Sequence, residues 1–267
     1  MLEILKKIKE VYSEKELLVI LAKRDISVRY KQTVLGLAWA IVRPCATMLI
    51  FLFAFKQVAK VNSFSGYPIQ LVIFSGILFW NYFANSFQAI CNSILVNSNL
   101  VAKVYFPRLI ICISSIAVSL VDFFIGLIVY FILSISMNEP ISQMVFLVPV
   151  ALFLITCFSL GLGLIFVSYS IKFRDIQQIT PLIVQYGFFV TPIVYTTNEF
   201  SNKGWFFYYN IINPLAAMVE FFRFTLINQY NLFDFNNLIF SIISSFIVLS
   251  IGLVVFNHRE SSFVDHL

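Results

Sequence analysis

The sequence predicts an all-α integral membrane protein with six transmembrane helices. Three observations carry that expectation. Hydrophobic residues make up 60% of the 267 and charged residues only 12%, whereas an ordinary soluble domain is about 25% charged. The apolar residues fall in blocks of roughly 20, the length of helix that crosses a bilayer, and lack the ~10-residue alternation of outer-membrane barrels. Lysine and arginine are shared unevenly among the segments that join the blocks.

The six blocks run over residues 34–55, 69–90, 109–136, 145–169, 181–195 and 238–256. The fifth is short for a crossing. Another apolar stretch follows Pro214 as far as residue 227. It is too short to span and carries Glu220 and Arg223, so it reads as re-entrant or interfacial. With the N-terminus inside, thirteen lysines and arginines fall in inner segments and three or four in outer ones. That bias predicts both termini in the cytoplasm. Residues 1–33 then form a cytoplasmic arm, 34–256 the transmembrane domain and 257–267 a cytoplasmic tail. The opening residues lack a signal-peptide cleavage pattern, so the first span is expected to be an uncleaved anchor.

The arm is amphipathic. Ile4, Leu5, Ile8, Val11 and Tyr12 share one helical face, with Lys6, Lys7, Lys9 and Glu10 elsewhere. Ser13 and Glu16 make a capping-box pattern before the apolar run 17–22. Two short helices along the cytoplasmic surface are expected. Their basic side chains either meet anionic lipid headgroups or serve only to set orientation.

Catalysis by this chain is not expected. It has no G-x-x-x-x-G-K-[ST] phosphate loop, so it cannot bind ATP in the usual way. Gly161 and Gly163 lie within a span without a basic partner. There is no HExxH, GxSxG or paired-carboxylate pattern, and the histidines are His258 and His266, both in or near the tail. Cys45, Cys91, Cys112 and Cys157 stand in apolar stretches without CxxC spacing, as small apolar fillers do. No metal site and no nucleic-acid partner are expected.

Charged residues in the apolar blocks are the informative ones. Arg43 lies about ten residues into the first block, beside Pro44, which removes a helix hydrogen bond. Two readings stand open: it lines a path for an anionic or polar substrate, or it snorkels to the inner headgroups. Asp122 lies near the middle of the third block. Ser115, Ser119, Asp122 and Gly126 share one small, polar helical face, which fits hydrogen bonding between helices or the wall of a cavity. Proton coupling is the weaker reading, because no second intramembrane carboxylate pairs with Asp122.

Two inner loops and one outer segment stand out. "NSNLVAKVYFPRL" (97–109) combines basic groups with Tyr105 and Phe106, a mix suited to docking a partner or simply to an inside turn. "IKFRDIQQITP" (171–181) places Arg174 and Asp175 side by side, toward a partner or water. "GWFFYYN" (204–210) concentrates aromatic rings, either as an interfacial belt or as a surface on which sugar rings stack.

Taken together, these blocks resemble the membrane subunit of ABC-2-type polysaccharide and polyol-phosphate exporters, a family that includes Wzm-type O-antigen, capsule and teichoic-acid exporters. The resemblance spans nearly the whole chain. It rests on "RDISVRYKQTVLGLAWAIVRP" (24–44), "FSGILFWNYFANS" (74–86), "SNLVAKVYFPRLI" (98–110), "IKFRDIQQI" (171–179), "TPIVY" (191–195) and "NPLAAMVEFFR" (213–223), in that order.

The resemblance implies a homodimer with the conduit between two copies, and two ABC ATPase subunits that bind ATP and Mg in place of this chain. It makes the arm an interface helix and the segment after Pro214 a re-entrant periplasmic gate helix between spans five and six. It makes 97–106 a coupling helix, with Asn99, Lys103, Tyr105, Phe106, Arg174 and Asp175 as candidate ATPase contacts. It places the chain in the cytoplasmic (inner) membrane among lipids, with a glycan on a polyprenyl pyrophosphate as substrate. Arg24, Arg29, Lys31 and Arg43 then become pyrophosphate candidates by charge and depth. Trp39, Phe74, Trp80, Tyr82, Tyr195, Trp205, Glu220 and Arg223 are the candidates for conduit or gate. A permease for a drug or a lipid, a non-transporting scaffold of a glycan-assembly complex, and proton-driven transport through Asp122 remain open alternatives.

Overall fold

The computed structural model describes residues 10–31, 36–60, 63–64, 66–104, 106–173, 175–197, 205–230, 233–260 and 263. Tyr105, Arg174 and the face built from Ile4, Leu5 and Ile8 lie outside the described residues. The helices are α1 (Lys15–Lys31), α2 (Trp39–Phe53), α3 (Ile69–Val96), α4 (Ser98–Lys103), α5 (Leu109–Ser114), α6 (Ala117–Ser136), α7 (Val148–Ser170), α8 (Ile176–Val190), α9 (Phe206–Ile212), α10 (Pro214–Leu226) and α11 (Phe235–Arg259). A two-residue hairpin, Ser63–Phe64 with Tyr67–Pro68, joins α2 to α3.

Among the described residues, four helical stretches are long and apolar enough to cross a membrane: Gly36–Val58, Leu109–Ser136, Gln143–Ser170 and Phe235–Arg259. They hold four of the six expected blocks. The other two have physical reasons for standing apart. Helix α3 runs 28 residues, but Asn81, Asn85, Gln88 and Asn92 dilute its hydropathy. Its side chains turn inward instead, with Ile69, Val72, Phe74, Phe79 and Phe87 fully buried. Helix α8 has 15 residues and ends at Val190, five residues before the expected end. Thr191 turns extended because Pro192 follows it, and the residue before a proline avoids the helical region. At the other end α8 begins at Ile176, ahead of Pro181, so proline sits inside the helix and does not open it.

The third block is interrupted. Helices α5 and α6 are separated at Ser115–Ile116, where Ser114 and Ser115 donate their hydroxyls to the carbonyls of Ile111 and Cys112. Such back-bonding competes with the helical ladder. In the arm, a turn at Glu14 separates the first helical turns from α1. The Ser13 hydroxyl donates back to the Glu10 carbonyl at 2.7 Å, in place of the expected cap. Helix α1 packs on α5 and α6, and Leu21 is the residue it buries.

The tightest helix crossing is α7 on α11. A Cβ on Gly161 would lie 2.5 Å from the Leu249 backbone nitrogen, and one on Gly252 would lie 2.4 Å from the Gly161 carbonyl oxygen. The two glycines let the backbones touch, as small residues do where helices pack in lipid. Helix α10 is enclosed between these elements, with Ala216, Val219, Phe222 and Arg223 at zero exposure. The Ser241 hydroxyl of α11 donates to the Pro214 carbonyl at the start of α10.

Candidate functional site

Four helices enclose a cavity of about 690 Å³. The C-terminal end of α1 contributes Arg29 and Tyr30. Helix α2 contributes Trp39, Arg43 and Thr47, α3 contributes Asn81, Tyr82 and Asn85, and α6 contributes Ser119, Asp122 and Gly126. The cavity therefore gathers two pyrophosphate candidates, two conduit candidates and the intramembrane aspartate that the sequence scatters across nearly 100 positions.

Its charges are arranged unequally. Asp122 accepts from the Tyr30 hydroxyl at 2.5 Å and pairs with Arg29 at 2.7 Å. Burial, then the Asp122 carboxylate, push the Tyr30 phenol above its ordinary pKa, so it remains a donor. Arg43 has no carboxylate within bonding reach among the described residues. Its guanidinium lies 5.6 Å from the centre of the Trp39 ring, where the ring's negative face favours a cation. Tyr82 is buried and shares a hydrogen bond of 2.6 Å with the Thr156 hydroxyl. The expected face of Ser119, Asp122 and Gly126 does line this wall, while Ser115 spends its hydroxyl on the Cys112 carbonyl.

Other candidates fall elsewhere. Arg24 donates to the Asn97 side-chain oxygen at 2.7 Å and pairs with its neighbour Asp25 at the same distance. Asn97 closes α3 and precedes α4. Lys31, Asn99, Lys103 and Asp175 are exposed, and Phe106 is half-buried. Phe74 is buried near Tyr130. Trp80 is buried against Phe83 and Phe188. Trp205 is exposed and meets Tyr209 edge-on.

Glu220 and Arg223 form a closed cluster near the opposite end of α3. Arg223 donates to the carbonyls of Ile193, Tyr195 and Val72 and pairs with Glu220 at 3.3 Å. Glu220 also accepts from the Thr197 amide and from the Tyr230 hydroxyl. A Cβ on Gly76 would lie 1.9 Å from the Ile193 carbonyl oxygen, so this segment packs directly on the α3 backbone. The pair holds the turns that follow α8 in place and presents no charge to a passing substrate in this conformation.

Sequence reasoning passed over Tyr30, Asn81 and Asn85, and took Asn97 only as the first residue of the coupling segment. The two asparagines carried a signal: they stand four apart in an apolar helix, where unpaired amides are costly. Tyr30 and Asn97 carried none, because their partners are remote in sequence. Among the described residues no group of three or more His, Cys, Asp or Glu is placed to hold a metal ion.

The chain belongs to the ABC-2 type transporter family, whose pattern matches residues 16–227. It is a multi-pass membrane protein of the permease kind, the kind that works with an ABC ATPase. It is 29% identical to an O-antigen export system permease protein of Klebsiella pneumoniae over 255 residues, covering 94% of this chain and 95% of the relative. It is 24% identical to the O-antigen export system permease protein of Myxococcus xanthus, over 97% and 98% of the two chains. The polysialic acid transport protein of Escherichia coli is 26% identical, over 90% and 92%.

Proposed function

We propose that this chain is the transmembrane subunit of an ATP-driven exporter that moves polyprenyl-pyrophosphate-linked, O-antigen-like polysaccharide across the cytoplasmic membrane. Two copies form the conduit, and two ABC ATPase subunits, carrying ATP and Mg, bind on the cytoplasmic side. Helices α2, α3, α5–α6, α7, α8 and α11 are the six spans, and both termini are cytoplasmic. Helix α4 enters the ATPase cleft, with Asn99, Lys103, Phe106 and Asp175 facing that partner. Helix α10 forms the gate at the outer end.

What carries this reading is the similarity to O-antigen export permeases and a polysialic acid transport protein over at least nine-tenths of each chain. The cavity suits the chemistry. Arg43 and Arg29 offer planar donors to phosphate oxygens. Trp39, Tyr82, Asn81 and Asn85 offer ring faces and amides, which make the weak, repeated contacts that conduction needs. The lipid-linked head docks at the cytoplasmic edge, ATP closes the partners and moves α4, and the two halves rock to admit the polymer.

The test is surface glycan in cells lacking this chain but retaining its ATPase. Export predicts loss of surface glycan, accumulation of lipid-linked polymer inside, and recovery with the wild-type gene. Normal surface glycan would overturn the reading in favour of a drug or lipid permease.

A further inference from the structure

Helix α1 touches two places at once. Near its C-terminal end, Arg29 and Tyr30 hold Asp122 in the cavity wall. Five and six residues earlier, roughly 8–9 Å along the helix axis, Arg24 holds Asn97, the residue between α3 and α4. One rigid element therefore joins the cavity to the turn from which α4 springs.

The cavity end is built to be exchanged. It carries two arginines against one carboxylate, and Arg43 has no carboxylate partner among the described residues. The Arg29–Asp122 pair is partly solvated, with side-chain exposures of 38% and 15%. Such pairs are held weakly. A pyrophosphate beside Arg43 brings more charge and more acceptor oxygens than one carboxylate, and so competes for Arg29. Asp122 would not be stranded when Arg29 leaves, because the protonated Tyr30 hydroxyl still donates to it.

We infer that α1 is a sensor of cavity occupancy: a phosphate-bearing head in the cavity takes Arg29 from Asp122, α1 turns about the Tyr30–Asp122 hydrogen bond, and Arg24 transmits the turn to Asn97 and α4. This rests on the export reading and adds the regulation of that site. Asp122 holds Arg29 in the position from which a substrate phosphate would draw it. Arg24 is outside the cavity lining and bonded to Asn97 and Asp25, so it is a positioning residue here and not the pyrophosphate contact its charge suggested; Tyr30 is likewise a positioning residue, acting through Asp122. The two sites are then coupled in both directions, each biasing the other by the same factor.

The experiment uses the complex of this chain with its ATPase in lipid nanodiscs. ATP hydrolysis is followed against added polyprenyl pyrophosphate, and separately against inorganic pyrophosphate in discs without that lipid. Binding of a fluorescent polyprenyl pyrophosphate is measured in parallel. The wild-type complex is expected to hydrolyse faster with a phosphate head present. A response to the lipid alone identifies the amphiphile as the source, and a response to inorganic pyrophosphate identifies a soluble phosphate. Asp122→Asn is expected to raise the rate without ligand toward the stimulated rate, and to tighten half-saturation roughly fivefold or more, within the usual range of coupling between sites. Arg24→Ala is expected to bind the lipid as the wild type does yet lose the stimulation, a split that simple loosening of the fold would not give. Tyr30→Phe, the milder change if Asp122→Asn fails to assemble, is expected to weaken half-saturation by a similar factor.

Full stimulation in Arg24→Ala, or wild-type half-saturation in both Asp122→Asn and Tyr30→Phe, would overturn the sensor while leaving export intact. No response of the wild type to either probe would also overturn it. The export reading itself falls only if surface glycan is normal without this chain.

Discussion

Glu220 and Arg223 stand one turn apart on α10 and form an ion pair in which the arginine side chain has no solvent exposure. Three carbonyls, one amide and one phenol surround the pair, and the buried Arg223 Nε is left without a hydrogen-bond partner among the described residues. Removing one member of a buried pair leaves the other charge unpaired, which costs about 3–5 kcal/mol, whereas replacing both by apolar groups costs far less. Glu220→Ala is therefore expected to lower the melting temperature of the purified protein sharply, and Glu220→Ala with Arg223→Met less so. Thermal melts of the two variants in one detergent check this. A double variant less stable than the single would show that the arginine's carbonyl contacts, rather than the pair, hold the segment.

Gly161 and Gly126 differ in what a methyl group would meet. At Gly161 it strikes backbone, 2.5 Å from the Leu249 nitrogen, while at Gly126 it meets the tip of the Leu78 side chain, also at 2.5 Å. A side-chain tip can rotate away and a packed helix backbone cannot. Gly161→Ala is expected to destabilise by about 1–3 kcal/mol, the usual range for overpacking, and Gly126→Ala by less. Melting curves of the two variants measure the ordering, and equal shifts would sink it.

Much of the fold was legible because its signals are local. Apolar block length marked the four helical stretches long and apolar enough to cross a membrane, and the Thr191–Pro192 step marks where α8 stops. Asp122 and Arg43 announced themselves as charges inside apolar runs. The cavity was not legible as a site, because Arg29 and Asp122 meet across 93 positions and Arg24 and Asn97 across 73. Their charge in a short apolar segment gave only a re-entrant or interfacial reading, and the expectation that Glu220 and Arg223 belong to a gate came from the family resemblance. Charge alone does not distinguish a side chain that faces a path from one locked against carbonyls.

Arg43 separates function from stability. Its side chain is exposed, and its described contact is with the Trp39 ring. Losing a surface cation costs a fold little, whereas a hydrogen bond to a charged ligand contributes about 1.5–3 kcal/mol. Arg43→Gln is expected to leave the melting temperature within a degree or two of the wild type, and to weaken polyprenyl pyrophosphate half-saturation roughly tenfold or more. Arg43→Lys keeps the charge, loses the planar fork and should fall between them. Unchanged half-saturation in Arg43→Gln would remove it from the substrate path.

The tail gives the last prediction. Arg108, just before α5, donates its guanidinium to the Glu260 carbonyl, and its backbone amide meets the Glu260 carboxylate at 3.2 Å. The same guanidinium lies 6.0 Å from the centre of the Phe263 ring, which is buried and packs edge-on against Phe256. The end of the chain thus pins the segment that follows α4, the helix proposed to meet the ATPase. Phe263→Ala removes a buried ring, a change of about 3–5 kcal/mol in a well-packed core, and takes away its contacts with Phe256 and Arg108. The expected outcome is a protein that still assembles in the membrane but binds its ATPase more weakly, because the segment after α4 is no longer held. Co-purification of the two subunits, set beside the melting temperature of this chain alone, separates the effects. Full ATPase recovery with a lowered melting temperature would make the tail a structural strut with no part in coupling.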